Sequence, residues 1–194
     1  MSIFKKLFGK KQNTPNETPN ESVQKEEVLK DETPQKLSLD TSQTSEKFLH
    51  LADEITRFLT DILQELHTLE QEIYERNELL MNPDEPNQLQ PGEKELWAEY
   101  KQRRKEITDP ISLNPSDEGS RSFGKPTKYE YLSYPDTKIT FIMKSANRAV
   151  IETEYQDGIG HKNQFVLKKD GENWKIDTKK YGFPNETTWY KDEL

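Results

Sequence analysis

The chain has 194 residues, 33% of them charged and 30% hydrophobic, with a formal net charge of −8. Leu, Ile, Val and Phe together make about a fifth of it, close to the ~20% below which chains stay disordered, so one large core spanning every residue is excluded. The lack of cysteine removes disulfide frameworks, Cys-ligated zinc and thiol catalysis. The negative balance argues against nucleic-acid binding, which needs a basic face.

Residues 1–12 carry four lysines and no acid. Ile3, Phe4, Leu7 and Phe8 fall on one helical stripe with lysines opposite. That is the pattern of an interfacial anchor with weak membrane contact through residues 1–11, or of a docking peptide. The competing reading is a solvated start, because so short a segment is marginal as a helix in water. It is too short and too charged for a secretory signal, and no apolar run is long enough to span a bilayer. A cytoplasmic location is therefore expected. The terminal Lys191-Asp192-Glu193-Leu194 and the sequons at Asn16, Asn20 and Asn185 match lumenal signals, and without a secretory route both are coincidental.

Residues 13–45 contain the repeat Thr14-Pro15-Asn16-Glu17, Thr18-Pro19-Asn20-Glu21 and scattered apolar residues without a period. Such a segment cannot bury enough surface to offset its ordering entropy, and a disordered linker is expected there. The α+β domain is expected over 46–194, which holds all but two of the aromatic residues.

From Glu46 to Asn82, Phe48, Ala52, Ile55, Leu59, Ile62, Leu66, Leu69 and Ile73 alternate spacings of four and three. This predicts one long amphipathic helix, capped by Thr44 or Ser45 and ended by Asn82-Pro83. Its stripe is wider than a coiled-coil seam, so packing on the chain's own sheet is expected before dimerisation. Residues 46–92 hold Lys47, Arg57 and Arg76 against eleven acids, so the whole net charge resides there. A second helix follows over 93–108, with Leu96, Trp97, Tyr100, Arg104 and Ile107 at helical spacing and Asp109-Pro110 as its stop.

Between residues 138 and 178, alternation and turn residues predict four antiparallel strands. These are Lys138–Lys144, Arg148–Tyr155, Gln164–Lys168 and Trp174–Thr178, joined in part by Asp157-Gly158-Ile159-Gly160 and Asp170-Gly171. Helices followed by a meander make an α+β layout.

The histidines His50, His67 and His161 are too dispersed for a metal site. No nucleophile elbow is present, and Gly158-Ile159-Gly160 lies between β-runs with no helix to aim amides at a phosphate. Glu152 and Glu154 share a strand face about 7 Å apart, as a proton-transfer pair or simply as the wet face of a sheet. The acids of the long helix, Glu65, Glu72 and Glu75 among them, suit either a solvated face or electrostatic docking of a basic partner. Trp189 and Tyr190 lie past the last predicted strand, as interface anchors or as a tail packed back on the sheet. These two, with the five glutamates, are the candidate partner-binding residues.

Three segments carry a family resemblance: Trp97-Ala98-Glu99-Tyr100 on a helix, Phe123-Gly124-Lys125-Pro126-Thr127-Lys128-Tyr129 ahead of the first strand, and Phe165 through Trp174-Lys175-Ile176-Asp177. Across roughly residues 93–183 the chain resembles the bacterial immunity proteins of the nuclear transport factor 2-like fold that accompany Rhs-type polymorphic toxins. The resemblance implies helices held in a cone by a curved antiparallel four-stranded sheet. It also implies a non-enzymatic activity without cofactor, binding and neutralising a cognate toxin domain, and the chain's negative charge suits a basic one. The alternative is a small-molecule binder or enzyme using the cone's pocket, with Trp97, Tyr100, Tyr155, Phe165 and Trp174 as lining candidates. A third reading is a membrane-tethered adaptor.

Overall fold

The computed structural model describes residues 38–85, 87–115, 137–156, 158–192 and 194. The basic start, most of the expected linker and the Phe123–Tyr129 motif lie outside these residues.

The amphipathic pattern produces the long helix, with two differences at its start. Glu46–Leu51 forms a 3-10 turn, and the helix α1 runs from Ala52 to Leu80. Ser45 makes no side-chain cap bond, and Thr44 does other work. Its Oγ1 donates to the Phe141 carbonyl (2.7 Å) and accepts the Met143 N–H (3.1 Å), tying the helix start to a strand. Ile55, Leu59, Ile62, Leu63 and Leu66 of α1 are buried against Ile139, Phe141, Met143, Ala149, Ile151, Phe165, Leu167 and Ile176. Each such side chain contributes about 1.5–3 kcal/mol of transfer free energy, so the stripe is consumed by the chain's own sheet.

The second helix, α2 (Glu93–Thr108), follows Gly92, whose φ of 86° is a left-handed conformation that disfavours side chains. It runs back along α1 and buries Leu96 and Tyr100 against Leu69 and Ile73 in a second, smaller cluster. A 3-10 turn, Asp109–Ile111, ends it.

The sheet has six strands where four were expected. They are β1 (Ser38–Asp40), β2 (Lys138–Ser145), β3 (Arg148–Tyr155), β4 (His161–Asp170), β5 (Asn173–Gly182) and β6 (Tyr190–Asp192), in spatial order β1-β2-β3-β4-β5-β6. Strand β1 is parallel to β2 and every other pair is antiparallel, so the sheet is mixed. The extra strands are three residues each, too short to show an alternation, and they exist because β2 and β5 offer free edges. Residues 38–40, expected as linker, therefore belong to the sheet. Likewise Tyr190 sits within a strand, and the tail returns to the sheet.

The core face of the sheet reads across the strands as Phe141, Ile151, Phe165, Lys179 and Asp192. A charged pair thus continues an apolar row. Its cause is a bulge in β5: Ile176 pairs with Leu167 and Thr178 with Val166, leaving Asp177 as an extra residue. The bulge resets the alternation and turns Lys179 inward.

Candidate functional site

Two charge assemblies sit on the helical side of the sheet, one buried and one at the surface. In the buried one, Arg104 Nη1 lies 2.9 Å from Glu70 Oε1, and the Tyr100 hydroxyl donates to the same oxygen at 2.7 Å. Both charged side chains are only 7% exposed. Burial pushes the Glu70 carboxyl above its usual range, opposed first by Arg104 and then by the Tyr100 hydroxyl and Lys179. Lys179 itself pairs with Asp192 at 2.9 Å, also out of solvent. Two anions and two cations thereby neutralise one another between α1, α2, β5 and β6. Such a group is costly to desolvate and costlier to break, so it fixes the docking of the helices and of the last strand.

The surface assembly is a closed ring of four side chains. Arg76 holds Glu99 through two bonds of 2.6 and 2.7 Å, and Arg103 holds Glu72 through two of 2.8 Å. Contacts of 3.2 Å, Arg76 to Glu72 and Arg103 to Glu99, close the ring. Bidentate arginine pairs are geometrically specific. The Arg76 hydrogen bonds pull Glu99 down to about 2, and the Arg103 fork likewise lowers Glu72.

The candidate partner-binding residues consequently differ in availability. Glu72 is committed to the ring. Glu65 is exposed, and Glu75, also exposed, accepts a bond from Gln71 at 2.6 Å. Exposed with them along α1 are Asp53, Glu54, Asp61 and Glu78, whereas Glu70 is buried. Glu152 and Glu154 point to the opposite face of the sheet, where Gln164 donates to Glu152 at 2.8 Å and Lys138 lies 3.7 Å from Glu154. The sheet separates them from Glu65, Glu72 and Glu75. At the tail, Tyr190 stacks on Tyr181 with centroids 5.2 Å apart, and Lys162 lies 4.4 Å from the Trp189 ring. The neighbouring Glu186 carboxylate holds the Tyr190 hydroxyl above its usual value.

The five pocket candidates are dispersed. Phe165 is fully buried in the main core. Trp97 and Tyr100 meet edge-on at 5.9 Å between the helices, and Tyr155 stacks on His161 at 5.5 Å. Trp174 borders a cleft of about 360 Å³ with Phe58, Ile111, Glu54 and Glu172. A second cleft of about 370 Å³ lies between α1 and α2 at Glu65, Thr68, Leu69, Arg103, Glu106 and Ile107.

Sequence reasoning missed the buried ion pairs. Arg104 offered a signal, a charge on the apolar stripe of its helix; Lys179 offered none, since only the bulge turns it inward. Among the described residues, no group of three metal-ligating side chains converges and no helix is long and apolar enough to cross a membrane. No family model, curated protein or solved structure matches the chain.

Proposed function

We propose that this chain is a cytoplasmic bacterial immunity protein without catalytic activity, which neutralises a cognate basic toxin domain by direct contact. The observation that carries the reading is the exposed side of α1, where Asp53, Glu54, Asp61, Glu65, Glu75 and Glu78 line a helix whose cations are Arg57 and the ring-bound Arg76. The ring to α2 and the packing on the sheet hold that helix rigid, so little ordering cost opposes docking. Complementary charge raises the rate of encounter with a basic protein and disfavours acidic ones. Helices on one side of an antiparallel meander also accord with the nuclear transport factor 2-like cone that the sequence resemblance implies.

The test is genetic and direct. A toxin gene is expected adjacent to this one; it is expressed with and without the chain, and growth is followed. Rescue by the wild-type chain, with the two proteins co-purifying, is the expected outcome. A neighbourhood of metabolic genes and no rescue would contradict the proposal.

A further inference from the structure

The two clefts beside α1 share one stripe of that helix. Glu54, Phe58, Asp61, Glu65, Thr68 and Glu72 recur at spacings of four and three, which places them on one side. At the first end, Glu54 and Phe58 face Ile111, Trp174 and Glu172 around about 360 Å³. At the other, Glu65, Thr68 and Leu69 face Glu106 and Ile107 around about 370 Å³. Two exposed carboxylates line each cleft, beside Phe58, Ile111 and Trp174 in one and Leu69 and Ile107 in the other.

Each cleft is also lined by a cation, Arg103 in one and Lys175 in the other, and both are engaged. Arg103 is held by Glu72 at 2.8 Å, and Lys175 by Asp170 at 3.0 Å. Lys169 Nζ rests 5.5 Å from the Trp174 centroid, so that indole already serves as a cation's seat. Aromatic or aliphatic side chains beside paired carboxylates fit the flat, weakly hydrated guanidinium better than a compact ammonium.

We infer that this side of α1 is a two-socket groove that receives two arginine side chains from one basic segment of the partner. The inference rests on the basic-partner reading above and specifies its chemistry. Glu54 and Glu65 are eleven positions apart, about 16 Å along a helix. An extended segment covers about 13 Å in four residues at about 3.3 Å each, and residues four apart share one face, so arginines at positions 1 and 5, whose long stems take up the remaining ~3 Å, match the two sockets. Joining two weak contacts on one chain multiplies affinity only when the spacing permits both at once.

The full chain, isotopically labelled, is titrated with a Gly/Ser peptide bearing arginines at positions 1 and 5. A peptide of equal composition with adjacent arginines serves as the control, and amide shifts are followed by NMR. The spaced peptide is expected to bind at least tenfold more tightly, with shifts at residues 54–68 and 172–174. Glu54→Lys and Glu106→Lys, both exposed positions, should each abolish that advantage while leaving the circular dichroism native. Glu78→Lys, outside the stripe, should leave it intact. Equal affinities for the two peptides, or shifts confined to the sheet's outer face, would overturn the groove. A chain that rescues growth yet shows no spacing preference would overturn the groove alone, whereas failure of rescue would overturn the partner reading.

Discussion

Glu70 and Glu99 are both bound by arginine, yet their surroundings shift them in opposite directions. Glu70 is buried, and its carboxyl is raised because desolvation outweighs Arg104. Its native form therefore binds protons that the unfolded chain releases, so Glu70 itself detracts from stability as pH rises through its shifted value. Removing only its partner should be severe. Arg104→Met is expected to cost about 3–5 kcal/mol at neutral pH, with the deficit shrinking on acidification as Glu70 takes up a proton. The double variant Glu70→Gln/Arg104→Met should cost less than half as much, since no unpaired charge is left; urea unfolding at several pH values reads both. Glu99 has the opposite sign. Drawn from 4.5 to about 2, it contributes stability that is complete above its ordinary value and is lost as pH falls toward 2. Glu99→Gln should therefore flatten the acid limb of the stability profile between those limits, an effect moderated by the ring's partial exposure.

At the scale of elements, the long periodic segments were legible in the sequence and the short or corrected ones were not. The α1 stripe from Ile55 to Ile73 and the alternation of Arg148–Tyr155 are repeated often enough to declare a period. Strands β1 and β6 have three residues each, and only pairing with an existing edge defines them. The bulge at Asp177 lay beyond reach because its evidence is the register against β4, and with it went the inward turn of Lys179. Thr44 shows the same limit. As a residue preceding a helix it reads as a cap, but the proximity of β2 offers it two backbone partners instead. Thr44→Val should cost about 1–2 kcal/mol through the lost bonds and the stranded carbonyl. Hydrogen exchange at residues 46–51 should quicken more than at the centre of α1. Of the candidate site, the acidity of α1 was legible from charge counting alone. That Glu70 is buried and Glu72 committed to a ring was not, since both depend on where α2 returns.

Across the whole molecule, the sheet separates two electrostatic faces. The helical side carries the exposed acids of α1, while on the other side Lys144, Arg148, Lys180 and Lys191 outnumber Glu152 and Glu154. A basic partner would be drawn to the first and repelled by the second, so the charge pattern would orient the encounter as well as hasten it. Binding of a basic protein through α1 is the central claim, and the rate of association with the toxin domain that the proposed function expects beside this gene tests it most directly. The variant should spare Glu72, whose reversal would break the ring, and instead combine Asp61→Lys, Glu65→Lys and Glu75→Lys. The wild-type rate constant should fall at least tenfold from low to high salt, and the variant should lose a similar factor at low salt. Rates unchanged by both salt and charge reversal would contradict the account.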